Sequence, residues 1–94
     1  LLRPPTVLGI APSPATGPVT LQFDLGRASR VSLRIFDVRG ACIRTLQDGP
    51  APAGTNLVTW DRRDADGHRV PAGIYHARLS HDRRIQTVPI VLLD

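Results

Sequence analysis

Val19-Thr-Leu-Gln-Phe-Asp-Leu25 carries an apolar residue at every second position. An extended chain with this pattern sends Val19, Leu21, Phe23 and Leu25 to one face and Thr20, Gln22 and Asp24 to the other, which predicts a half-buried strand. Gly26-Arg-Ala-Ser29 interrupts the pattern as a turn would, and Val31-Ser-Leu-Arg-Ile35 resumes it before ending in Phe36-Asp37. The two runs are expected to pair as a hairpin. Val38-Arg-Gly40 then turns the chain into a shorter strand over 42–46, with Ile43 as its inward residue. Residues 47–54 hold Gly49, Pro50, Pro52 and Gly54, so this stretch reads as a loop without regular ladder bonds that crosses between sheets.

Alternation returns over 55–60, with Asn56, Val58 and Trp60 on one side. The indole of Trp60 is the largest apolar surface available and is expected at the centre of the core. Asp61-Arg-Arg-Asp-Ala-Asp-Gly-His68 is a polar turn in which Asp66-Gly67 suits a positive φ. Residues 74–79 and 85–93 read as a closing pair of strands, and Pro89 places the last one at a sheet edge or a bulge. With a first short strand over 7–11 the count reaches seven, and no segment shows helical periodicity. The expected fold is all-β, a single antiparallel β-sandwich of about seven strands over 7–94 preceded by a linker over 1–6. Its core anchors are expected to be Phe23, Leu33, Ile35, Val58, Trp60, Tyr75 and Leu79.

The bulk composition agrees with one globular domain. The chain has 94 residues, 41% of them hydrophobic and 21% charged, enough apolar surface for a single core and far from the composition of disordered chains. The net charge of +4 is carried entirely by arginine as the basic residue type. Arg34, Arg44 and Arg78 fall at alternate strand positions and are expected on solvated faces. Phe23, Phe36, Trp60 and Tyr75 form no stripe interleaved with them, so no specific nucleic-acid partner is expected. Cys42 is alone, hence without an intrachain disulfide partner, and is read as an ordinary strand residue. No stretch is long and apolar enough for a membrane-spanning helix. Leu-Leu-Arg-Pro-Pro-Thr6 lacks signal-peptide features and is expected to link to an upstream domain of a parent protein.

Clustered carboxylates make Asp61, Asp64 and Asp66 the best candidates for a metal site, since a hard cation takes oxygen ligands. The calcium-loop spacing is not met: Arg62 stands two before Asp64, and the chain has no glutamate. A structural turn is the preferred reading. His68, His76 and His81 lie on separate segments and do not make a zinc site from sequence. Ser13, Ser29, Ser32 and Ser80 have no nucleophile elbow, and no glycine pattern suits a phosphate. No enzymatic activity and no cofactor are expected.

Several stretches taken in order resemble one family. These are Pro12-Ser-Pro14, Val31-Ser-Leu-Arg-Ile-Phe-Asp-Val-Arg-Gly40, Arg44-Thr-Leu46, Val58-Thr-Trp-Asp61, Asp64 with Gly67, Pro71-Ala-Gly-Ile-Tyr75, Arg78-Leu79 and Ile90-Val-Leu-Leu93. Together they are similar to the immunoglobulin-like domain of flagellar hook-capping proteins and the C-terminal sorting domains of type IX secretion cargo. The resemblance implies an immunoglobulin-like (fibronectin III-like) sandwich acting as a non-catalytic C-terminal sorting or anchoring module of a secreted or cell-surface bacterial protein. Its alternatives are a structural or adhesive interaction domain in a larger extracellular assembly, or a flagellar hook-cap-type domain. It also implies that Ile90, Val91, Leu92 and Leu93 form the sorting-signal-like strand, read by strand addition at an edge. Implied partners are upstream domains of the parent, the secretion machinery or neighbouring subunits. Where the family places glycine after Trp-Asp, this chain has Arg62, and Val88, Pro89 and Asp94 replace its basic residues near the C-terminus.

Overall fold

The computed structural model describes residues 8–94, so the expected linker over 1–6 and the proposed strand residue Val7 lie outside the described residues. Seven strands form two antiparallel sheets: β1 (Gly9–Ala11), β2 (Val19–Leu25), β3 (Ser29–Phe36), β4 (Cys42–Ala51), β5 (Gly54–Trp60), β6 (Gly73–His81) and β7 (Arg84–Leu92). One sheet has the order β1-β2-β5 and the other β4-β3-β6-β7. The inner faces meet in a core that contains Val19, Leu21, Phe23 and Leu25 from β2, Val31, Leu33 and Ile35 from β3, and Tyr75, Ala77 and Leu79 from β6. Alternation in these strands is the cause, because every second side chain must leave water on the same side.

The expected hairpin between β2 and β3 does not form. These strands belong to different sheets: β2 pairs with β5 along its whole length, Val19 opposite Trp60 through Leu25 opposite Gly54, while β3 lies between β4 and β6. Residues 26–28 therefore carry the chain across the sandwich. Turn chemistry ends a strand but does not dictate whether the next one pairs with it or packs over it.

Strand β4 is longer than the sequence suggests and runs through Gly49-Pro-Ala51. Pro50 is tolerated because β4 is an edge, where an amide pointing away from β3 has no ladder partner to lose. The crossing to the other sheet does occur here, but it is short, from Ala51 to Gly54. Register shifts between Leu33 and Arg34 and between Ile35 and Phe36 leave Leu46 and Ile43 without opposite residues on β3. Such extra residues break period two, and both turn their side chains partly into the core.

Trp60 is fully buried, as expected. Its ring meets Tyr75 edge-on at 5.8 Å, and its indole N–H donates to the Arg63 carbonyl at 2.9 Å. Phe23, Leu33, Ile35, Tyr75 and Leu79 are buried too, whereas Val58 is only half-buried and packs at the margin. Between Val58 and the start of β5 the inward place is taken by Asn56, whose amide donates to the carbonyls of Pro52 and Gly54 and so holds the crossing turn. Trp60→Phe is expected to lower stability by about 1–3 kcal/mol, through lost volume and the lost indole hydrogen bond to the Arg63 carbonyl. Urea unfolding followed by circular dichroism measures it.

Candidate functional site

Two loops use the same turn. In Asp37-Val-Arg-Gly40 the Asp37 carboxylate accepts from the amides of Arg39 and Ala41 at 2.9 and 3.0 Å, and Gly40 donates back to the Asp37 carbonyl. In Asp64-Ala-Asp-Gly67 the Asp64 carboxylate accepts from Asp66 and His68 at 2.9 and 3.0 Å, and Gly67 donates to the Asp64 carbonyl. The φ angles of Gly40 and Gly67 are 86° and 84°, the left-handed region where a Cβ is costly. One oxygen of each aspartate thus satisfies two amides that would otherwise be free.

This accounts for the Asp64 part of the candidate metal cluster and separates Asp61 from it. Asp64, Asp66 and His68 bring ligand atoms within 4.8 Å of one another. Asp61 instead accepts from the Arg44 guanidinium at 2.9 Å and from the Arg63 amide at 3.0 Å. Arg44, expected on a solvated face, leans over to make this ion pair and also donates to the Arg63 carbonyl. His76 sits on the outer face opposite Pro89, and His81 lies beside Asp82 at 3.5 Å, so the three histidines stay apart. Cys42 is an exposed strand residue.

The terminal strand is placed differently from a free signal. β7 is an edge of the four-stranded sheet, in accord with Pro89. The side chains of Ile90 and Leu92 are buried, while Val91 and Leu93 are exposed. The backbone of its end is also occupied. Ala15 donates to the Val91 carbonyl at 3.0 Å and accepts from the Leu93 amide at 2.7 Å, a parallel bridge made by the β1–β2 loop. By the alternation of the ladder, Ile85 and Thr87 are the positions whose peptide groups still face the open edge. The outward backbone groups at the Val91 carbonyl and the Leu93 amide are thus already paired from within the chain.

Arg62 completes this junction. It is 2% exposed, and its Nη1 donates to the carbonyls of Thr16 and Leu93. Arg69 adds a second donor to Thr16. The φ of Arg62 is +66°, the conformation a glycine at this place would adopt freely. A side chain thus replaces glycine's conformational ease with a clamp that ties the β1–β2 loop, the β5–β6 loop and the end of β7. The sequence alone did not single out Arg62 as a binding residue. The only signal was its occupation of a position where the resembled family has glycine.

These features define an immunoglobulin-like β-sandwich stabilised by aspartate turns and a latched final strand. Residues 10–84 match the FlgD Ig-like domain, and the chain belongs to that family. It is 38% identical over 53 residues to the basal-body rod modification protein FlgD of Salmonella typhimurium, and equally to that of Escherichia coli, over 56% of this chain. The chain spans only 23% of the length of these curated relatives. Among solved structures it resembles dimeric latent PorU from Porphyromonas gingivalis, with a TM-score of 0.79 and 16% identity over 98% of this chain and 10% of that one. PorZ, described as an essential bacterial surface component of the type IX secretion system of the same organism, matches with a TM-score of 0.63 and 20% identity, over 93% of this chain and 11% of that one. At these identities the two structures establish the shared fold.

Arg62→Met leaves the Leu93 carbonyl without its donor and is expected to destabilise the domain by about 2–3 kcal/mol. Hydrogen exchange at the amides of Ala15 and Leu93 should accelerate more than at the amides of β2. Acid should loosen the Asp61 contact. Desolvation is the largest single influence and acts to raise its pKa, but the hydrogen bonds from Arg44 and the Arg63 amide and the charges of both arginines together outweigh it and hold the carboxyl below 3.8. A depressed folded pKa gives stability that is full above the unfolded value and is lost as pH falls through the folded one. Unfolding midpoints measured below about pH 4 should therefore fall less steeply with acid in Asp61→Asn than in the parent.

Proposed function

We propose that this domain is a non-catalytic module of a secreted or cell-surface bacterial protein, and that it serves as a sorting or anchoring unit for export. The observation that carries the reading is the end of β7, an edge strand that exposes Val91 and Leu93 while its backbone is fixed by Ala15 and Arg62. Ile90 and Leu92 act as internal anchors and Val91 and Leu93 as the surface that a partner reads. Recognition of a folded edge differs from recognition of a loose peptide, because the ordering cost is met during folding and not at binding. Support comes from the family and from the surface secretion component whose domain shares the fold. The partners in this reading are the upstream domains of the parent and the secretion machinery.

A second reading is a structural or adhesive domain in a larger extracellular assembly. Membership in a family named for the flagellar protein FlgD favours it, as does the small share of those relatives that the domain occupies. In that case neighbouring subunits or domains are the partners.

The domain fused to a periplasmically exported reporter, in a bacterium with type IX secretion, separates the two. Val91→Ser with Leu93→Ser changes only exposed side chains, so the fold persists and export of the reporter should drop by about tenfold or more if these residues are a hot spot. Export equal to the parent's would refute the sorting role and favour the assembly reading. Removing residues 90–94 should abolish export in any case, since it also removes two core residues, and it serves as the misfolded control.

A further inference from the structure

The outer face of the four-stranded sheet carries an ordered row of four side chains that neither reading above uses. Thr45 of β4 is opposite Arg34 of β3, Arg34 is opposite Arg78 of β6, and Arg78 is opposite Thr87 of β7. All four are exposed. The centre of the row is a pair of like charges in directly opposed positions, an arrangement that disfavours the sheet unless something compensates it. Among the described residues no carboxylate pairs with either arginine: the ion pairs of arginine are Arg27 with Asp82 and Arg44 with Asp61. Asp48, opposite Ser32 in the next row, is the acidic residue nearest in register.

The row is also organised. The Arg78 guanidinium lies 4.3 Å over the Phe36 ring, so its plane is set by a neighbour instead of being free in solvent. A guanidinium presents a rigid fork of donors suited to sulfate, phosphate and carboxylate oxygens, and the flanking threonine hydroxyls add a donor on either side. Arg30 lies four residues before Arg34 on the same strand and face, roughly 13 Å away along the chain. Charge is thus spread along the strand as well as across it.

We propose that this face binds an anionic polysaccharide, with Arg34 and Arg78 sharing its sulfate, phosphate or carboxylate groups and Thr45 and Thr87 bordering them. The fit is one of charge complementarity at the middle of a sheet face, where Arg34 and Arg78 stand on β3 and β6, the two strands paired on both sides. A partner peptide would need a free edge or a pocket for an anchor residue. Single-stranded nucleic acid would need open aromatic faces for its bases. Here Phe36 is covered by Arg78, and Phe23, Trp60 and Tyr75 are in the core. The proposal does not depend on the sorting role.

Retention of the chain on immobilised dextran sulfate, uncharged dextran and oligo(dT) tests it. The parent should be retained by dextran sulfate and not by dextran. Arg34→Gln with Arg78→Gln should weaken binding by about tenfold or more, because two charge-assisted contacts are lost, and lower the salt slope by roughly 1.5–2. The charge-matched pair Arg39→Gln and Arg84→Gln, outside the row, should weaken it by less than about threefold at surface sites screened by salt. Dextran sulfate should also raise the thermal midpoint of the parent and leave that of the Arg34/Arg78 variant unmoved. Equal losses in the two double variants would show a diffuse charge effect and overturn the proposal. So would failure of the parent to bind dextran sulfate, or oligo(dT) retention as strong as that on dextran sulfate, which would reassign the face to nucleic acid.

Discussion

The two sheets are joined by packing and by loops, since β2 pairs with β1 and β5 in one layer, while β4, β3, β6 and β7 pair in that order in the other. A sandwich of this kind holds its register only if the interior side chains interlock and the open sides are closed. The buried Arg62 guanidinium closes one such side. By donating to Thr16 and Leu93 it links a loop that leaves the small sheet to the last strand of the large one, beside the Ala15 bridge. Leu8 adds a further tie when its amide donates to the Gln86 side chain. A buried charge is costly to hold, and it persists here because backbone carbonyls, which carry partial negative charge, take the place of water. Loss of either carbonyl would leave that buried charge with one partner fewer.

Much of the fold could be read from the order of apolar residues. Val19 to Leu25 and Val31 to Ile35 declare their inward faces because both strands have one wet and one dry side. The partner of each strand was not legible. Gly26 and Ser29 end and begin strands equally well in a hairpin or in a crossing, so the pairing of β2 with β5 depends on contacts distant in sequence. β4 looks shorter in sequence than it is because its bulges scramble the period and its proline looks like a breaker, although an edge accepts both. Val58 and Asn56 show the same limit at smaller scale: alternation gives a side of the strand but not the depth.

The site was less legible than the fold. Asp61, Asp64 and Asp66 stand close in sequence, yet backbone geometry turns Asp61 to Arg44 and Asp64 to its own loop amides. The repetition of this turn at Asp37 and Asp64 argues that these aspartates are selected for their acceptor oxygens within the loop. The terminal strand was correctly placed at an edge, but no sequence pattern discloses that the loop around Ala15 already occupies its end. Arg62 was the least visible of all, because one arginine in a polar run looks the same whether it points into water or into the protein.

Both outer strands of the four-stranded sheet carry a proline, Pro50 on β4 and Pro89 on β7. A strand with a missing donor makes a poor template, and the Ala15 bridge shortens the other template further. Copies of the domain are thereby hindered from zipping their four-stranded sheets together into continuous ribbons. A module of this type can stand against copies of its own large sheet and remain a separate bead.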